Sequence, residues 1–117
     1  MIALAIPFPP SVNRLYRTFR GRMIMSKVGR DWYAKALPSV QRQMEAHHTI
    51  GRRVRVSIQV YPPDDRRRDL DNLCKTTLDV LTKAGVYADD SHIDDLRLVR
   101  FAKEKGGRLV AFVEEIE

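Results

Sequence analysis

The chain of 117 residues has a single cysteine, Cys74. That excludes an intrachain disulfide and suits a reducing, cytoplasmic setting. No apolar run approaches ~20 residues, so no membrane-spanning helix is expected. Met1 to Ile6 is too short for the apolar region of a secretory signal. Internal repeats and low-complexity linkers are absent, and the length fits one domain over 1–117 with one modest core. Apolar residues make up 44% and charged residues 31%, a globular rather than disordered composition.

Acids are scarce in the first half. Residues 1–55 hold 11 Lys/Arg against only Asp31 and Glu45, whereas residues 56–117 hold 10 Lys/Arg against 13 Asp/Glu. A basic lobe attracts a polyanion, and each neutralised phosphate releases counterions. An acidic cluster in a nucleic-acid binder repels phosphate and needs another purpose, of which holding a metal is the obvious one.

The two charge types meet in DDRRRDLDNLCK, from Asp64 to Lys75. Arginine forks suit phosphates, and clustered aspartates suit a hard cation such as Mg²⁺. Three consecutive arginines, Arg66 to Arg68, are rarely needed for folding. On a regular helix Asp69 and Asp71 would point about 200° apart and could not share an ion, so at least one sits outside the helix body. Asp69 suits an N-cap, and Leu70, Leu73, Thr77, Leu81 and Ala84 follow at helical spacing, with Gly85 as the stop. Asp71 falls in the first turn, and Lys75 lies one turn on. The plainer alternative makes Asp69 only a cap and Asp71–Lys75 only a helix ion pair.

Ile2 to Ile6 reads as a strand ended by Pro7, Pro9 and Pro10. Ser11 to Arg22 reads as an exposed basic loop. Tyr16 and Phe19 among its arginines can stack on unpaired bases; packing into the core is the alternative, and it weighs more for Phe19. Ser26 caps a helix over roughly 27–47, with Val28, Trp32, Ala36, Val40 and Met44 on its core side beside Tyr33 and Leu37. Pro38 should kink or split it. Lys27, Arg30 and Lys35 on its other side either touch phosphates or form a solvated face. Adjacent His47 and His48 diverge and lack ligand-spaced partners, so a metal site there is rejected. Val54, Val56, Ile58 and Val60 alternate with polar residues as a half-buried strand. One of Asp89 and Asp90 should reach a metal; the residues alone do not say which. Asp94 and Asp95 read as the start of a strand. Strands over about 95–103 and 108–116 are joined by Lys105-Gly106-Gly107, which reads as a hairpin turn. The expected class is α+β: a small mixed sheet with helices packed on it, in the order β-α-β-α-β-β.

RRRDLDNLCKTTLDVLTKAGVYADD resembles the core of the RusA family of Holliday junction resolvases. PFPPSVNRLYR resembles that family's Pro-Pro-Ser-x-Asn-Arg-x-Tyr segment, and KGGRL fits as well. The resemblance implies a homodimeric endonuclease that cuts four-way DNA junctions with Mg²⁺, for which Mn²⁺ can substitute. It names Asp90 as the third metal-holding carboxylate beside Asp69 and Asp71, and it favours Asn13, Arg14 and Tyr16 near the site. Lys75 would stabilise charge developing at the phosphate. Arg17, Lys27, Arg66, Arg67 and Arg68 join these as expected DNA contacts. A non-catalytic DNA-binding module and a metal-dependent nuclease of another substrate class are the competing readings.

Overall fold

A computed structural model describes residues 1–116, apart from the side chains of Val12 and Asn13. The strand β1 (Ile2–Pro7) is followed by a short helix α1 (Val12–Leu15), a hairpin of β2 (Tyr16–Phe19) and β3 (Arg22–Met25), and the helix α2 (Lys27–Gln43). Then come β4 (Val54–Tyr61), α3 (Leu70–Lys83), a single 3₁₀ turn (Asp90–His92), β5 (Ile93–Arg100) and β6 (Arg108–Glu115). The body of the molecule is the expected α+β arrangement in the expected order. Its mixed sheet runs β1-β6-β4-β5, with β4 antiparallel to β6 and parallel to β5.

Alternation along β4 explains its central place. Val54, Val56, Ile58 and Val60 are buried on the face shared with Leu4 and Ile6 of β1 and with Leu109, Ala111 and Val113 of β6. Trp32, Tyr33, Ala36 and Val40 of α2 and Leu73, Val80 and Leu81 of α3 close the core over that face. At roughly 1.5–3 kcal/mol for each fully buried large aliphatic side chain, this layer is the main stabilising term.

Four sequence expectations need correction. The segment Ser11 to Arg22 is not a loop. It holds α1 and most of the hairpin, whose two-residue turn, Arg20-Gly21, has φ of 51° and 74°. That pattern is a type I′ turn, matched to strand twist; the arginines obscured it. Second, Gly106-Gly107 does not join neighbouring strands, because β5 and β6 lie on opposite sides of β4. A crossover through α3 makes β5 parallel to β4. The chain then passes over the end of β4, where the Phe101 N–H donates to Val60 O at 2.8 Å and the Glu104 N–H to Pro62 O at 2.8 Å. Third, α2 runs unbroken through Pro38 and ends at Gln43. The carbonyl that Pro38 leaves unpaired belongs to Ala34, on the exposed side, where water can satisfy it. Fourth, Val28 is exposed in the first turn of α2 rather than buried with Trp32 and Ala36.

The end of α3 is as expected. Gly85 has φ of 76°, its N–H donates to Thr82 O, and the Val86 N–H donates to Leu81 O, both at 3.1 Å. This pair of bonds is a Schellman motif. The two edges of the sheet differ. Gln43 bonds both the N–H and the C=O of Ala5 at 2.8 Å, which covers part of the β1 edge. On β5, Leu96 and Val99 are exposed. Among the described residues, no helix is long and apolar enough to cross a membrane.

Candidate active site

The segment between β4 and α3 is shaped by its own charges. Asp64 accepts from Arg68 Nη1 at 2.8 Å and from the Arg66 N–H at 2.9 Å. The Arg68 bond, then the Arg66 N–H, holds the Asp64 carboxyl below its ordinary range. Arg68 also lies over the Phe8 ring, 5.2 Å from its centroid, and its carbonyl accepts from Arg100 at the end of β5. Arg68 therefore has a structural task in addition to its expected one.

These contacts form one wall of a cleft of about 500 Å³, lined by Arg67, Arg68, Asp69 and Asn72 on one side and Phe8, Pro9, Pro10 and Ser11 on the other. An adjoining recess adds Arg14, Val28, Trp32 and Arg66. The structure thus brings together Arg14, Arg66, Arg67, Arg68 and Asp69. Prolines first read as strand terminators prove to be the facing wall; the Pro-Pro-Ser resemblance was the signal for them. Arg17 lies on the hairpin and Lys27 at the start of α2, where it pairs with Asp31 at 2.8 Å. Tyr16 is half-buried against the core. Asn13 falls outside the described side chains.

Asp69 takes the N-cap position with extended backbone (φ −94°, ψ 134°) but forms no capping bond. Asp71 and Lys75 are both exposed on the first two turns of α3, and no ion pair joins them. Both line an apolar groove between α3 and β5 with Leu70, Cys74, Leu78, Leu96 and Leu98. The plainer alternative, cap plus helix ion pair, therefore fails on both counts. Among the described residues, Asp69, Asp71 and Asp90 accept no side-chain hydrogen bond and join no salt bridge. Asp89 differs: its carboxylate accepts from the Ser91 N–H at 3.0 Å and from the Ser91 hydroxyl, and these bonds lower its pKa. Of the adjacent pair, Asp90 is the one left without a partner.

Asp90 lies away from Asp71. It precedes Ile93, which pairs with Val54 at the start of β4, whereas Asp71 is level with Leu96 and Leu98. The five steps along the strand from Ile93 to Leu98 span about 16 Å. Oxygens on one Mg²⁺ sit ~2.1 Å from the ion. Among the described residues, no three His, Cys, Asp or Glu side chains are grouped to hold a metal. The donor chemistry suits a hard divalent cation; the placement within one chain does not complete a site.

Nucleophilic catalysis by the protein has little support. Burial, with Asp71 adding to it, raises the Cys74 thiol pKa, so it is a poor source of thiolate. Burial pushes the Tyr87 hydroxyl up to about 12, and it donates to Leu78 O at 3.1 Å.

An arginine-lined cleft beside partnerless carboxylates defines a nucleic-acid-processing hydrolase more readily than a plain binding module. The sequence matches the family described as Endodeoxyribonuclease RusA over residues 7–114. It is 39% identical to the crossover junction endodeoxyribonuclease RusA of Escherichia coli strain K12 over 117 residues, covering 97% of this chain and 94% of that protein. The corresponding protein of Enterobacteria phage 82 is 39% identical over 113 residues, covering 97% and 93%. That of phage HK97 is 38% identical over 112 residues, covering 96% and 92%. The chain belongs to the RusA family of endodeoxyribonucleases. It is therefore an endonuclease, and membership implies a divalent metal cofactor.

Proposed function

We propose that this chain cuts four-way DNA junctions as a Mg²⁺-dependent homodimer, by paired phosphodiester hydrolysis in recombination and repair in the cytoplasm. The observation that carries this reading is the set of three aspartates, Asp69, Asp71 and Asp90, without hydrogen-bond or salt-bridge partners among the described residues, in a chain where Arg67 and Arg68 line the cleft beside Asp69. The names of the curated relatives, all crossover junction endodeoxyribonucleases, support the choice of substrate.

The position of Asp90 supports a dimer. The β5 edge carries exposed Leu96 and Val99, with Phe101 just beyond. An antiparallel pairing of two β5 edges about a two-fold axis would cover these side chains. It would also bring the start of one β5 beside the end of the other, which carries Asp90 of the partner subunit towards the end of the sheet where α3 begins. Such a dimer has two sites related by symmetry, as a junction has two strands to cut.

The roles within each site follow from chemistry. Arg14, Arg66 and Arg67 hold backbone phosphates at the cleft. Asp69 and Asp71, with the partner's Asp90, supply hard oxygen donors. A bound Mg²⁺ would contribute Lewis acidity at the scissile phosphate and make a nearby water more acidic. Lys75, in the groove beside Asp71, offsets charge that builds on the phosphate oxygens.

The test is a synthetic four-way junction compared with linear DNA and RNA of the same sequence, each with Mg²⁺ and with EDTA. Symmetric paired cuts in the junction, abolished by EDTA, are expected. Equal cutting of linear DNA or RNA, or cutting in EDTA, contradicts the reading.

A further inference from the structure

The β2–β3 hairpin stands apart from the main sheet as a separate two-stranded unit. Its base is fixed. Tyr16 and Met25, opposite each other in the ladder, pack on the core. The Ser26 N–H donates to Leu15 O at 2.8 Å, and the Ser26 hydroxyl donates to Arg14 O. The first turn of α2 presses so closely on this base that a Cβ on Gly29 would lie 2.5 Å from Leu15 O. The free end is different. Arg17 and Phe19 share a face of β2, and Arg22, the partner of Phe19, shares it too. That face is opposite to the one bearing Tyr16 and Met25.

Phe19 is 47% exposed at the tip. The guanidinium groups of Arg17 and Arg20 lie 5.5 and 5.3 Å from its ring centroid. Arg20 sits at φ 51°, a left-handed conformation where arginine is uncommon and asparagine or glycine is easier. The first acid in the chain is Asp31, so residues 1–30 carry six Lys/Arg and no carboxylate side chain. A fixed arm thus presents an aromatic ring between cations and faces no acid on its own segment.

Such a tip is complementary to an unstacked base flanked by phosphates. Base–aromatic stacking adds affinity only where a base face is available. In a linear duplex each base face is covered by its neighbours. At a branch point the stack is interrupted.

We infer that the β2–β3 hairpin is a stacking arm: Phe19 lies against a base exposed at the branch point, Arg17 and Arg20 hold the flanking phosphates, and Phe19 sets the preference for branched over linear DNA. This rests on the functional reading above.

The experiment measures binding of the full chain, in EDTA so that nothing is cut, to a four-way junction and to a linear duplex of the same arms. Phe19→Ala should weaken junction binding about tenfold and leave duplex binding within about twofold. Phe19→Trp, which keeps a broad ring, should retain the preference. Arg17→Gln should weaken both substrates and lower the salt slope by about one unit. Because Phe19 is at an exposed tip, Phe19→Ala should melt with the wild type, and 2-aminopurine at the branch point should respond to the wild type and not to this variant. A wild-type chain with no preference for the junction overturns the functional reading and this inference together. A wild-type preference that survives unchanged in Phe19→Ala overturns this inference alone.

Discussion

Two sets of aspartates in this chain contain the same chemistry and are treated in opposite ways. Asp94 and Asp95, at the start of β5, are tied to the sheet. Asp94 accepts from Arg53 Nε at 2.9 Å; Asp95 accepts from Arg55 Nε at 2.7 Å, and Arg55 reaches Glu114 at 2.8 Å on the strand beyond. These bonds link β5, β4 and β6. Asp69, Asp71 and Asp90 have no such partners among the described residues. A carboxylate matched to an arginine is satisfied within the fold. One held without a partner keeps its charge available to a group outside the chain. Asp79 and Glu45 also lack such partners among the described residues, so the contrast bears on function only together with place: Asp69 lines the arginine cleft and Asp71 the groove beside Lys75.

The largest expected effect breaks the comparison at its centre. Asp71→Asn keeps the shape and removes one charge, so junction cleavage should fall by about 10³-fold. Junction binding in EDTA should hold or tighten, since a repulsive charge is gone. Asp94→Asn should leave cleavage within a few-fold of wild type and lower the melting temperature slightly. Equal cleavage losses in the two variants would erase the distinction.

Lys75 sharpens it. A helix ion pair tolerates arginine, whereas a tight position beside the reacting phosphate does not. Lys75→Arg should melt within about a degree of wild type, as exposed substitutions do, yet lose on the order of 10²-fold in turnover with little change in substrate affinity. Wild-type turnover would return Lys75 to helix support.

The arginines divide in the same way. Replacing Arg14 or Arg67, which line the cleft, should reduce the salt slope of junction binding by about one unit. Replacing Arg53, which serves Asp94, should leave that slope alone. Titration of binding against ionic strength separates them.

The smallest effect is the dependence of stability on pH. The bond from Arg53 holds Asp94 below the ordinary carboxylate range, and bonds from Arg97 and then Arg55 do the same for Asp95. A folded-state pKa below the unfolded value, ~3.9 for Asp, stabilises above that value and is lost as pH falls through the depressed one. Melting temperature should therefore decline below about pH 4. The double variant Asp94→Asn, Asp95→Asn should show a shallower decline; an unchanged profile would mean that those ion pairs carry no linkage.

Much of the fold was legible because it rests on local pattern. Val54 to Val60 alternate and form β4; Leu73, Thr77 and Leu81 recur and form the buried side of α3; Gly85 ends it. The position of β5 was not legible, since Gly106-Gly107 marks a turn without saying which strands flank it. The hairpin was missed because its arginines resemble a solvated loop, although Arg20-Gly21 suits a tight turn. Phe19, weighed towards the core, proved exposed because the face of β2 that it shares with Arg17 is the one turned away from Tyr16 and Met25. For the site, the residue types at Asp69, Asp71 and Lys75 were readable from charge and spacing, and the choice of Asp90 over Asp89 came from resemblance. That Asp90 lies most of a strand away from Asp71 could not be read, because it depends on the parallel β4–β5 register.

That separation gives the most direct test. Asp71→Asn and Asp90→Asn, each expected to be inactive alone, can be mixed and allowed to exchange subunits before a junction is added. If each site takes Asp71 from one chain and Asp90 from its partner, the mixed dimer holds one doubly altered site and one intact site. The account predicts recovered cleavage of a single strand per junction, without paired cuts, and no recovery when Asp69→Asn is mixed with Asp71→Asn. If all three carboxylates act within one chain, every site in the mixed dimer carries a lesion. Complete absence of cleavage in an exchanged Asp71→Asn and Asp90→Asn mixture would contradict the shared site.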